Sequence, residues 1–144
     1  MLAKAEIIPR QLIRPHSCEL QVPVLQTRDA ANRYPDLLIL RPEHLEMMGR
    51  RLTIKLDMPP PQLVVEVVSP GKANRERDLI RKRAQYAARG IPEYWLIDSQ
   101  DQTVTVLSLE SDDYVEVGVF RGEEAVISST FSELQLTPRE IFVT

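Results

Sequence analysis

Apolar residues along this chain gather in short runs, and only one stretch keeps a helical period for several turns. The run Leu63-Val64-Val65-Glu66-Val67-Val68 is apolar and β-branched on both faces, which predicts a central strand covered on both sides. Ser69-Pro70-Gly71 ends it with turn chemistry. A helix follows over 74–89, with Asn74 as N-cap, Gly90 at the left-handed C-terminal position and Pro92 blocking continuation. Its expected apolar face holds Leu79, Ile80, Ala84, Tyr86, Ala87 and Ala88, with Asp78, Lys82 and Gln85 beside it. A strand over Glu93–Asp98 comes next, with Tyr94 and Trp95 read as core, so strand, helix and strand form a right-handed parallel crossover.

The flanking segments are shorter. Residues 18–27 read as a strand interrupted by Pro23, and Leu37–Leu40 as a strand entered through Arg33-Tyr34-Pro35-Asp36. A helical turn is expected over Glu43–Met48 and a strand over Leu52–Leu56, before Pro59 to Pro61 force an extended path. Val104–Leu109 and Tyr114–Phe120 alternate around Ser111-Asp112-Asp113, predicting a hairpin, and Ala125–Ser128 a further strand. Thr137-Pro138-Arg139-Glu140 is a capping box opening a terminal helix.

The length of 144 residues fits one α/β domain, 1–144, and 43% hydrophobic residues suffice for a core without staples. A single cysteine, Cys18, excludes an internal disulfide framework and suits a reducing cytoplasm. No apolar run approaches the ~20 residues that span a bilayer, and Met1–Arg10 does not read as a signal peptide. The net charge of −3 argues against avid nucleic-acid binding, but its distribution does not. Between Lys72 and Arg89 lie seven basic residues against Glu76 and Asp78; that stretch carries +5 and the rest of the chain −8. Such a stripe can steer a polyanion, or be a solvated helix face.

Candidate chemistry centres on Glu66. A carboxylate amid valines is costly unless it meets a metal ion, a cationic side chain or a mouth open to water; a bond to an arginine or backbone amides is the structural alternative. Asp36 stands at the start of an apolar strand behind a stiffening proline, where a turn-forming role competes. Two acids on two buried strands can converge at one sheet end and, with a backbone carbonyl and waters, hold Mg²⁺. Lys82, on the helix after the second strand, can balance charge at a phosphate or remain an exposed lysine. His16 and Cys18 fall short of a zinc pattern, His44 reads as a surface residue, and Ser69 lacks a nucleophile-elbow context. Walker and dinucleotide fingerprints are absent, and 6% aromatics give little support for a sugar platform.

Taken in order, Tyr34-Pro35-Asp36, then Leu63 to Pro70, then Arg77-Asp78, Lys82, Tyr86-Ala87 and Gly90 to Asp98 resemble the Uma-type restriction endonuclease family of the PD-(D/E)xK nuclease superfamily. The resemblance implies a restriction-endonuclease-like three-layer core: a mixed β-sheet flanked by helices, with a C-terminal antiparallel hairpin extension. It implies a Mg²⁺ or Mn²⁺ site on Asp36, Glu66 and the Val67 backbone carbonyl, with nucleic acid, expected to be DNA, as partner and a homodimer as the assembly. The lysine usual two residues after the acid is replaced by Val68, which transfers that role to Lys82. Asp78 and Tyr86 are implied as supporting residues on the same helix. Only seventeen residues precede Cys18, where the family commonly has a further helix and strand pair, so a shortened N-terminus is expected, with apolar surface left for a partner or second copy. Two functions follow: a metal-dependent endonuclease, or an inactive nuclease-fold module that binds nucleic acid or protein.

Overall fold

The computed structural model describes residues 8–15, 18–48, 53–68 and 73–142, and within 73–78 the backbone alone. The strand, helix and strand read from the sequence form its centre. Strand β6 (Leu63–Val68) runs into helix α2 (Ala73–Arg89) and then strand β7 (Glu93–Asp98), which pairs parallel to β6 with Leu63 opposite Glu93 and Glu66 opposite Leu96. The helix ends as its sequence dictates. Gly90 has φ +84°, its N–H donates to the Ala87 carbonyl, and Ile91 N–H donates to Tyr86, the paired bonds of a Schellman cap.

Around that unit the remaining strands are antiparallel. Strand β1 (Ile13–Pro15), which the sequence pattern did not announce, pairs with β4 (Leu37–Ile39), and β4 pairs with β6, Leu37 opposite Val65. On the other side β8 (Thr103–Glu110) and β9 (Asp113–Arg121) form the expected hairpin through Ser111, whose φ is +56°. The six strands lie in the order β1-β4-β6-β7-β8-β9. A second small sheet joins β3 (Asn32–Arg33), β2 (Glu19–Gln21) and β5 (Thr53–Ile54), with β2 central.

Side-chain alternation decides what covers each face. Tyr86 of α2 packs edge-on against Tyr94 of β7, ring centroids 5.3 Å apart, and Tyr94 meets Tyr114 of β9 at 5.5 Å. The helix therefore lies over the face that carries Val64, Glu66 and Tyr94. Glu93 and Trp95 point the opposite way, where Ser128 and Thr130 of the chain after β9 reach them. The sheet is mixed and sandwiched between layers, with Trp95, Tyr86, Tyr94 and Leu38 among its fully buried side chains.

Several expectations need correction. The strand over 18–27 shrinks to β2 and ends before Pro23; that over Leu52–Leu56 is Thr53–Ile54, with Leu52 outside the described residues. Residues 125–128 form no strand, although Val126 N–H donates to the Leu136 carbonyl. Helix α1 (His44–Met48) is present, but His44 is a fully buried residue: its Nδ1 accepts from the Arg41 amide at 2.8 Å and its Nε2 donates to the Pro59 carbonyl at 2.6 Å. Burial lowers its pKa, so the ring is neutral and ties α1 to the proline run. The terminal helix α3 (Pro138–Phe142) begins at its predicted capping box, Thr137 and Glu140 exchanging bonds at 3.3 Å.

The largest error concerns α2. Ile80 is 70% exposed and Ala84 and Ala88 are exposed, whereas the polar Gln85 and Arg89 are buried. Backbone carbonyls explain the inversion. Arg89 donates to Gln21, Lys55 and Met58, and Gln85 Nε2 donates to Pro23 and Ala30, so these two residues clamp the helix to the small sheet and its loops. A hydrophobicity pattern cannot register acceptors that come from 31 to 68 residues away. The helix starts at Ala73, one residue before the expected cap, and the Asn74 side chain lies outside those described.

Candidate active site

Register brings the two expected acids together. Leu37 faces Val65 across the antiparallel β4–β6 pair, so Asp36, one step before β4, stands level with Glu66. Beyond Leu37 the ladder has ended, and the Asp36 side chain takes over: its Oδ2 accepts the Val67 N–H at 2.7 Å. In an extended strand a residue's N–H and C=O point to the same side, so the Val67 carbonyl faces that gap as well. Asp36 and Val67 are exposed, the latter at 47%, which corrects the reading of β6 as covered on both sides at its far end.

Glu66 occupies the inner end of this gap and is only 3% exposed. Its Oε2 accepts the Tyr86 hydroxyl at 2.6 Å, a short bond to a charged acceptor worth about 1.5–3 kcal/mol. Its Oε1 meets Lys82 Nζ at 3.4 Å, longer than a well-formed charge-assisted bond. Burial raises the Glu66 pKa above the usual carboxylate value; Lys82 and the Tyr86 hydroxyl pull it down, and the Asp36 charge pushes it up again. The Tyr86 phenol is held strongly protonated by burial and by Glu66, so it acts only as a donor here. Lys82 and Tyr86 are one helical turn apart, which is why both reach one carboxylate.

Helix α2 is aimed by contacts that the sequence did not signal. Arg33 of β3 places Nε and Nη2 on Gln85 Oε1 at 2.9 and 2.7 Å, and Gln85 is one residue from Tyr86. Arg33 also lowers the Tyr86 pKa from its raised value, so its charge is felt at the site. The periodic placement of Gln85 beside Lys82 was visible; its partner, 52 residues away, was not. Asp78, Ser69 and His16 lie where side chains are not described, as do Lys72, Arg75 and Arg77 of the basic stripe. Cys18 is buried and burial raises its pKa to about 11, which leaves an inert thiol.

The donors suit a hard divalent cation. Two carboxylates and a carbonyl lie at one end of the β4–β6 pair, one of the carboxylates buried. Among the described residues no group of three or more His, Cys, Asp or Glu side chains is placed to hold a metal, and Asp36 and Glu66 are the pair they offer a cation. Mg²⁺ tolerates this, since it keeps several waters.

Comparison with known proteins agrees with this architecture. Among solved structures, the chain is similar to "a putative nuclease belonging to DUF820" from Anabaena variabilis, with TM-score 0.62 and 18% identity over 98% of this chain and 72% of that one. That likeness establishes the fold. No curated protein matches. Residues 8–139 match the family model described as "Uma2: Putative restriction endonuclease", and the chain therefore belongs to the Uma2 family.

Proposed function

We propose that this protein is a Mg²⁺- or Mn²⁺-dependent endonuclease that hydrolyses phosphodiester bonds in DNA. The observation that carries the reading is the convergence of Asp36, Glu66 and Lys82 at one end of the β4–β6 pair. Asp36, Glu66 and the Val67 backbone carbonyl would hold the ion. When bound, it polarises the phosphodiester and makes water a stronger nucleophile.

The chain's own groups do the rest. Tyr86 fixes one oxygen of Glu66, leaving the other turned toward Lys82 and the opening. Lys82, 20% exposed, reaches the same carboxylate from the helix side and there balances the negative charge that develops on the phosphate as water adds in line. It does so in place of the lysine usual at position 68. Asp78, on the same helix, is the supporting acid, and the working assembly is a homodimer. No helix of the described residues is long and apolar enough to cross a membrane.

The test is cleavage of plasmid DNA with Mn²⁺ by the wild type and by Asp36→Ala, Glu66→Ala and Lys82→Met. Loss of cutting in all three, with restored cutting absent at any Mn²⁺ concentration for Glu66→Ala, supports the assignment. Cutting that survives both acid substitutions removes it. Mn²⁺ binding with no cutting of any DNA form assigns the fold to a binding module instead.

A further inference from the structure

Tyr34 stands two residues before Asp36, in the segment joining β3 to β4. Of the eight aromatic residues it alone is exposed, at 55%; the other seven are buried or half-buried. Pro35, between it and Asp36, is buried. Tyr34 and Asp36 are both exposed on either side of buried Pro35, and at two residues' separation their Cα atoms lie within about 7 Å of each other. That spacing is close to one step along an extended nucleotide chain.

The ring is also restrained. Its hydroxyl donates to Glu19 Oε2 on β2 at 2.8 Å, and the following proline limits its backbone. Glu19 raises the Tyr34 pKa, so the phenol stays neutral. An exposed aromatic tethered at its far edge shows its flat face to solvent without the loss of rotamer freedom that a loose side chain incurs on binding. The carboxylate of Glu19 sits at the hydroxyl edge, off the face of the ring.

We propose that Tyr34 is the stacking platform for a base next to the phosphodiester held at Asp36 and Glu66, and that single-stranded DNA is accordingly the preferred form of substrate. The proposal rests on the nuclease reading above and adds its substrate form. In a duplex each base already has neighbours on both faces, and presenting one to a protein ring means unstacking it first. An unpaired strand offers its faces at no such cost, and stacking accepts any base, so the contact selects strand form without selecting sequence. The bland alternative is a cross-strand Tyr–Glu pair decorating the small sheet, in which the hydroxyl matters and the ring face does not.

Fluorescence anisotropy with the full chain separates these. The probes are a short labelled single strand and a blunt duplex of the same sequence, in Ca²⁺, with a gel confirming that the DNA stays intact. The wild type is expected to bind the single strand more tightly. Tyr34→Leu, which keeps bulk without a π face, is expected to weaken single-strand binding about tenfold, the order seen for one stacked base, and to leave duplex binding unchanged. Tyr34→Phe and Tyr34→Trp, which keep a ring face but lose the tether, should each lose less single-strand affinity than Tyr34→Leu. Unchanged binding by Tyr34→Leu, an equal loss on both DNA forms, or a Tyr34→Phe loss as large as that of Tyr34→Leu overturns the proposal while leaving the nuclease reading intact. A wild type that binds neither form removes both. Should Tyr34→Leu melt early, the Phe and Trp variants decide: the single-strand affinity must follow the ring.

Discussion

Two buried glutamates sit on neighbouring strands of this sheet, on opposite faces, and their surroundings differ in kind. Glu93 is completely buried. Its Oε2 accepts from Trp95 Nε1 at 2.6 Å and Ser128 Oγ at 2.7 Å, and its Oε1 from the Thr130 amide at 2.9 Å. Ser128 Oγ in turn accepts from the Phe131 amide. Every one of these donors is neutral and fixed by the fold, and together they fasten the chain after β9 to the sheet. Glu66, as deeply buried, has one such donor, Tyr86; its other neighbours are a long contact to Lys82 and the charge of a second carboxylate. Burial of an acid thus says nothing by itself about function. A carboxylate saturated with neutral donors holds structure together, whereas one left beside a second acid and a lysine 3.4 Å away is suited to an ion.

That contrast can be broken by substitution. The largest effect is expected from Glu66→Ala, which should lower Mn²⁺-dependent cleavage roughly thousandfold, since losing several kcal/mol of charge stabilisation costs a factor of ten for each 1.36 kcal/mol. Rates on plasmid DNA measure it. Glu93→Ala should do the reverse: Mn²⁺ binding persists, but three donors are stranded, and urea unfolding should show a loss of about 3 kcal/mol, or roughly 10 °C in melting temperature for a domain of this size. Lys82→Met follows, with cleavage about a hundredfold lower and Mn²⁺ still bound, the pH of half-binding moving upward because Lys82 is the strongest influence lowering the Glu66 pKa. Tyr86→Phe should be mildest, weakening Mn²⁺ about tenfold, as losing a partner behind a ligand does.

The wild type's pH dependence has a definite sign. Folding raises the Glu66 pKa, so the folded chain holds that proton more tightly than the unfolded one. The stability this residue contributes is present below the ordinary carboxylate value and is lost as pH rises through its elevated folded value. Metal binding, which needs the carboxylate, should grow over the same window. Chemical denaturation and Mn²⁺ titration across that range should therefore move in opposite directions.

Much of the centre was legible because local physics decided it. The β-branched run of β6, the glycine cap and Pro92 after α2, and the Thr137 capping box each act within a few residues of themselves. Asp36 and Glu66 were legible as acids on apolar strands, and antiparallel register then brings them level. What stayed hidden depended on partners distant in sequence. Gln85 and Arg89 are buried through carbonyls of the first 58 residues, so α2 turns a polar side inward and leaves Ile80 out. His44 is buried by Pro59, and Glu93 by a segment 35 residues on, which no spacing foreshadows. An acid on a buried strand describes Glu93 as well as Glu66, and only their surroundings in the fold tell the two apart.

A shared ion at Asp36 and Glu66 is tested most directly by calorimetric Mn²⁺ titration of four proteins: wild type, Asp36→Ala, Glu66→Ala and Glu93→Gln. Ion binding in the wild type should disappear in both of the first two variants and survive in the third. Binding left intact by removal of either Asp36 or Glu66, or abolished only by the change at Glu93, contradicts it.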